Sequence, residues 1–231
     1  MSTGSKTGSS RARARCEDRR VRLYLSSMWL GARPELFTAM VGGSRRGWLV
    51  MSALDMTDEE NRSTEARRQV ADLAAVGLQA QELDLRRLTP DTVEEAFGEP
   101  DFVWVRGGNV FVLRMALARS GLDRLVVEGL GADRFTYAGF SAGACVLAPS
   151  LRGLEHCDPV EEATDLYGEV RFDGLGLLDR PVVPHLRSPD HPETELLAEV
   201  AARYEAERQP YWGLSDGEVL VVEGGAAPVV R

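Results

Sequence analysis

Phe135-Thr136-Tyr137-Ala138-Gly139-Phe140-Ser141-Ala142-Gly143-Ala144-Cys145-Val146-Leu147 sets a G-x-S-x-G pentapeptide between a short apolar run (Phe135 to Phe140) and a helix-forming run (Ala142 to Leu147). A strand, a sharp turn carrying a serine, then a helix is the context that a nucleophile elbow requires. Small residues must flank the serine, because the turn brings neighbouring backbone together and glycine tolerates strained dihedrals. The helix that follows is expected to aim free N–H groups and the positive end of its dipole at the point where an oxyanion develops.

On both sides of this stretch, strands and helices alternate from Val21 onward. The patterning predicts strands at Arg22–Ser27, Gly47–Ala53, Leu78–Leu85, Phe102–Val105 and Pro181–Val183. Helices are expected at Pro34–Val41, Glu59–Val76, Thr89–Phe97, from Val110 to Leu130 as one long element, and from Pro192 to about Arg208. Residues 150–175 read as irregular. The tail reads as hairpin strands around Asp216-Gly217 and Gly224-Gly225. Alternation of this kind implies an α/β fold, a mostly parallel sheet flanked by helices on both faces, with a C-terminal β-hairpin. With neither repeat nor linker, residues 21–231 are expected to form one domain. The Ser/Gly/Arg-rich residues 1–20 read as a disordered tail.

A hydrophobic content of 44% against 27% charged residues suits a globular chain with a core. The net charge of -9 argues against a nucleic-acid partner, since phosphate binding needs a basic surface. The odd number of cysteines (Cys16, Cys145, Cys157), with no C-x-x-C spacing, fits a reducing compartment. No apolar run reaches membrane-span length. Arg19-Arg20 ahead of residues 21–32 faintly imitates a signal peptide, but Val21-Arg22-Leu23-Tyr24-Leu25 alternates like a first strand, so the cytoplasm is expected. The oligomeric state, monomer or homodimer, is left open.

A serine nucleophile needs a base, and the base an acid to fix its tautomer. Of three histidines, His185 follows Val182-Val183-Pro184 at a strand end and is the favoured base. His191 stands in reserve, and His156 reads as a surface residue. The acid is open: Asp216, in Leu214-Ser215-Asp216-Gly217, competes with Asp173, Asp179 and Asp190. Gly107-Gly108-Asn109 after a buried strand would leave backbone N–H groups approachable, and with the N–H of Ala142 they would make an oxyanion hole. Cys145, one helical turn past Ser141, reads as a packing residue. His156, Cys157 and His191 match no common zinc spacing, and no metal site is expected.

With its motifs in this order, the chain resembles the aspartyl dipeptidase (peptidase E) and cyanophycinase-like family of serine peptidases, which share the class I glutamine amidotransferase-like, flavodoxin-type fold. The resemblance rests on Val21–Ser27, Gly107-Gly108-Asn109-Val110-Phe111, Ala138-Gly139-Phe140-Ser141-Ala142-Gly143-Ala144, Pro184-His185 and Leu214-Ser215-Asp216-Gly217. It implies Ser141 as nucleophile, His185 as base, Asp216 as acid, and Gly108 with Ala142 as oxyanion donors. Asp216 stands where peptidase E has a glutamate, and Phe140 departs from the usual residue before the serine. The implied activity is hydrolysis of small peptides, a dipeptidase preferring N-terminal aspartate, with no cofactor and no metal. Asn109 and an arginine are the expected substrate-binding residues. Arg106, Arg171 and Arg187 are the arginine candidates, and Arg187 is favoured for its place beside His185. Rival readings are an esterase of the same nucleophile class and a catalytically idle peptide binder. A glutamine amidotransferase would need cysteine at position 141.

Overall fold

The computed structural model describes residues 21–224 and 226–231. The expected tail at 1–20, and Gly225 of the expected Gly224-Gly225 turn, lie outside them.

Among the described residues, seven strands form the main sheet: β1 (Val21–Ser26), β2 (Arg46–Val50), β3 (Gln79–Glu82), β4 (Phe102–Val105), β5 (Thr136–Phe140), β8 (Val219–Gly224) and β9 (Val229–Val230). Their order is β3-β2-β4-β5-β1-β8-β9. The first five strands pair in parallel, whereas β8 is antiparallel to both β1 and β9. This is the α/β sheet that the sequence implies, and β8–β9 is the C-terminal hairpin. A second sheet holds only β6 (Val182–Val183) and β7 (Trp212–Gly213), paired in parallel.

Side chains alternate across the main sheet and divide the core in two. On one side Tyr24, Phe102, Trp104, Ala138 and Phe140 meet α1 (Pro34–Met40) and α2 (Glu59–Ala75). Trp104 donates to Gln69 Oε1 of α2 at 2.8 Å, which satisfies two groups that burial would otherwise leave unpaired. On the other side Leu23, Leu25, Val103, Val105 and Tyr137 meet α4 (Val110–Ser120) and α5 (Leu122–Gly131). The short α3 (Val93–Phe97) packs there too.

Four expectations are corrected. The single helix at 110–130 is two, because Gly121 takes a left-handed φ of 79° and caps the first. The run after Ser141 is helical only at α6 (Ala142–Cys145). The carbonyls of Val146, Leu147 and Ala148 instead accept from the N–H groups of Leu175, Leu177 and Gly176, a tertiary pairing that ends the helix. The stretch read as irregular contains α7 (Val160–Tyr167), opened by Pro159 and closed by left-handed Gly168. Finally, Asp216-Gly217 is not a hairpin tip: β7 leaves it toward β6, and β8 toward β1. The last helix, α8 (Thr194–Ala206), follows β6. None of the described helices is long and apolar enough to cross a membrane.

Candidate active site

Ser141 sits between β5 and α6 with φ 49° and ψ -118°, a conformation that L-residues seldom adopt. Neighbouring packing holds it there. A Cβ on Gly143 would lie 2.2 Å from the carbonyl oxygen of Val105, and one on Gly139 2.8 Å from the same atom. A Cβ on Gly107 would come within 2.8 Å of the Ser141 Cβ. The glycines of the pentapeptide therefore let β4 close on the elbow, and Gly107 lets the next loop close on the serine itself.

The β4 and β5 ends are adjacent, so the Gly107–Asn109 loop lies beside Ser141. Gly108 has φ 137°, and its missing Cβ would meet the Ala53 carbonyl oxygen at 2.5 Å. Ala142 is the first residue of α6, so its N–H has no partner within that helix. With only one turn, α6 offers individual N–H donors rather than the dipole of a long helix.

His185 follows β6, and Asp216 follows its neighbour β7, which brings them together: Nδ1 lies 2.6 Å from Asp216 Oδ1. The competing carboxylates are occupied elsewhere. Asp173 pairs with Arg114 at 2.9 Å and Asp179 with Arg180 at 2.6 Å, while Asp190 is exposed. His185 is 1% exposed, and its backbone takes φ 56°. Burial pulls its pKa below the ordinary histidine value; the Asp216 bond opposes this, and nearby His191 adds to it. The neutral form is therefore favoured at pH 7, as a general base requires.

Ser141, His185, Gly108 and Arg106 all line one cleft of about 430 Å³. No hydrogen bond joins Ser141 Oγ to His185 among the described residues. The lining also includes Trp29 with Phe140, whose rings lie 5.3 Å apart, and Asp158 and Glu162 around the start of α7. Burial, followed by the charges of Glu193 and Glu162, pushes the Asp158 carboxyl up to about 7.

Asn109 has no free hydrogen-bonding group for substrate. Its Oδ1 accepts from Phe111 and Val112 N–H, capping α4, and its Nδ2 donates to the Pro159 carbonyl at 2.8 Å and to Glu162 at 2.9 Å. It pins α7 against the cleft. Arg187 is exposed, leans on Ser215 Oγ at 3.3 Å and is not part of the cleft lining; Arg171 is exposed as well. Of the three candidate arginines, Arg106 reaches the cleft, with Glu65 at 3.2 Å from its Nη2. His156 is a surface residue beside Arg203, and Cys145 is buried with its Sγ 3.5 Å from the Val182 carbonyl oxygen.

Sequence reasoning missed Ser27. Fully buried just past β1, its Oγ accepts from the His185 N–H and donates to Asp216 Oδ1, both at 2.8 Å. Nothing in Leu25-Ser26-Ser27-Met28 distinguishes it from a plain strand-end serine. Also missed was the company His191 keeps. Its ring stacks on that of His185 with centroids 3.5 Å apart, and the ligating atoms of His185, His191 and Glu193 lie within 4.8 Å of one another.

Residues 34–230 match the sequence profile of peptidase family S51. An uncharacterized peptidase of Listeria monocytogenes, Lmo0363, is 30% identical over 152 residues, 66% of this chain and 71% of its own. A peptidase E of Streptomyces coelicolor is 36% identical over 133 residues, 56% of this chain and 51% of its own. A crystal structure of a provisionally named peptidase E protein from L. monocytogenes superposes with a TM-score of 0.75 at 23% identity, over 91% of this chain and 98% of that one. At that identity the superposition speaks for the fold.

Proposed function

Because the chain belongs to peptidase family S51, and is thereby a peptidase, we propose that it is a serine peptidase using Ser141, His185 and Asp216, and that it cleaves small peptides as a dipeptidase preferring N-terminal aspartate. One observation carries this reading. A serine held at positive φ on a strand-to-helix turn opens on the same cleft as an imidazole whose other nitrogen is engaged by a carboxylate.

The chemistry follows from those positions. His185 Nε2 takes the proton of Ser141 Oγ as the oxygen attacks the peptide carbonyl. The oxyanion accepts from the N–H groups of Gly108 and Ala142. His185 then passes the proton to the leaving amine, and water, activated by the same nitrogen, hydrolyses the acyl-enzyme. Asp216 at Nδ1 keeps the tautomer in which Nε2 carries the lone pair, and it supports the imidazolium that forms. Ser141 and His185 need no hydrogen bond at rest, since such contacts often tighten only with substrate bound. An N-terminal aspartate would meet Arg106, which lines the cleft, rather than Arg187. With Cys145 and Cys157 both free, the protein suits a reducing cytoplasm.

The test is labelling by a fluorophosphonate probe together with turnover of a dipeptide set, for wild type and Ser141→Ala. Labelling lost in the variant, with Asp-containing dipeptides cleaved fastest by wild type, supports the reading. Aryl-ester turnover without peptide cleavage would favour an esterase. A wild type that neither labels nor cleaves would favour an idle binder.

A further inference from the structure

Beside His185 the cleft holds two donors that acyl transfer does not use. His191 and Glu193 lie on the turn between β6 and α8, and both reach the cleft lined by His185. In each ring one nitrogen is committed: His185 Nδ1 to Asp216 at 2.6 Å, and His191 Nδ1 to the N–H of Glu193 at 3.2 Å. Each ring keeps its Nε2 for a ligand, and one nitrogen of each ring lies with a Glu193 carboxylate oxygen in the 4.8 Å cluster. Two imidazole nitrogens and one carboxylate oxygen form a three-ligand set suited to a borderline dication with an open fourth position. Hard cations such as Mg²⁺ or Ca²⁺ want six or more oxygen donors, which this set does not offer. Behind His185 stands Asp216, the carboxylate-on-imidazole support that orients metal-bound histidines.

The geometry points to a Zn²⁺-type site made by His185, His191 and Glu193, at which the bound ion caps His185 Nε2 and thereby blocks the peptidase. The blocking role rests on the reading of His185 as the base; the site itself does not. Tetrahedral coordination at about 2.0–2.2 Å requires donors closer than the present cluster, and ligands whose ring planes converge on the ion. The two rings are parallel to within 1°, so one must tilt. His185 is fixed at its backbone N–H, at its carbonyl and at Nδ1. The half-buried His191, tied only through Nδ1 and a turn, is the ring free to tilt. Cys157 also lines the cleft, but burial pushes its thiol up to about 12, which makes it a poor competitor for the ion.

The test is calorimetric titration of Zn²⁺ into the metal-free full chain, with Co²⁺ absorption as the coordination readout and dipeptide turnover followed in the same solutions. One ion per chain is expected, with tetrahedral Co²⁺ bands, no thiolate charge-transfer band, and turnover falling as the site fills. Asp216→Asn should weaken binding about 10- to 100-fold, and His191→Ala and the isosteric Glu193→Gln at least as much. Thermal melts of each variant, with Glu193→Gln the mildest change, separate lost ligation from lost fold. Ser141→Ala should bind zinc as wild type does. Zinc held by the trio in a protein that cleaves no peptide would support the site while telling against the peptidase reading. No stoichiometric binding, binding indifferent to His191→Ala and Glu193→Gln, or a thiolate band from Cys157 would each overturn the proposal.

Discussion

The hydroxyl of Ser27 is shared between the two groups it orders, accepting from the backbone of His185 and donating to the carboxylate of Asp216, each at 2.8 Å. One side chain just past β1 thus ties the segments that follow β6 and β7, strands of a different sheet, to the end of the main one. Ser27→Ala removes the one acceptor among the described residues for the buried His185 N–H, at a cost of about 1–3 kcal/mol. It also frees Asp216 to turn. The expected result is a lower Tm together with a fall of roughly 10- to 100-fold in kcat/KM, carried by kcat, because the imidazole is displaced rather than removed. A variant that loses Tm but keeps wild-type kcat would reduce Ser27 to a packing role.

Asp216→Asn tests the other support. With the carboxylate gone, the tautomer placing a lone pair on Nε2 is no longer enforced, and kcat should drop on the order of 10³- to 10⁴-fold. The pH profile gives the independent sign. His185 is already below its ordinary value through burial, with the Asp216 bond as the chief opposing influence. The acid limb of wild-type kcat/KM should therefore have its midpoint below the ordinary histidine value, and that of the variant should move further toward low pH. A limb that moved upward would mean that the titrating group is not His185.

The sheet was legible in the sequence because buried parallel strands leave an unmistakable trace. Phe102-Val103-Trp104-Val105 has no polar residue, and Gly139 and Gly143 mark where β4 must approach. The strand-end positions of Ser141 and His185 were legible for the same reason, each following an apolar strand. Asp216 could not be separated from its rivals by spacing, since its pairing with His185 depends on β7 leaving the expected hairpin for β6. The engagement of the Asn109 amide by Pro159 and Glu162 was not legible, because α7 lies fifty residues further along a stretch that reads as irregular. Ser27 and the stacking of His191 on His185 depend on contacts between separate segments, and local pattern carries no record of these.

The elbow glycines should separate stability from catalysis. Gly143→Ala places a methyl 2.2 Å from the Val105 carbonyl oxygen, a backbone atom that cannot swing aside, so β4 and β5 must part. A loss of about 1–3 kcal/mol in unfolding free energy is expected. Gly107→Ala instead pushes on the Ser141 Cβ at 2.8 Å. It should cut fluorophosphonate labelling far more than it lowers Tm. Equal effects of the two variants on both measurements would contradict this division.

Asp158 offers a stability test that needs no substrate. Its carboxyl accepts from the Val110 N–H at 2.8 Å, docking the loop before α7 onto the start of α4. Burial first, then the charges of Glu193 and Glu162, raises it from 3.8 to about 7. A carboxyl harder to ionise in the folded chain contributes fully below its unfolded value, and that contribution is lost as pH rises through the folded one. Stability should therefore decline between about pH 4 and pH 7, by at most about 4 kcal/mol from this group. Asp158→Asn keeps an acceptor for Val110 and removes the charge. Urea unfolding at pH 8 should show the variant more stable than wild type, with the advantage gone at pH 4. A wild type whose unfolding is flat across that window, or a variant weaker at pH 8, would mean that the loop tolerates the Asp158 charge without penalty.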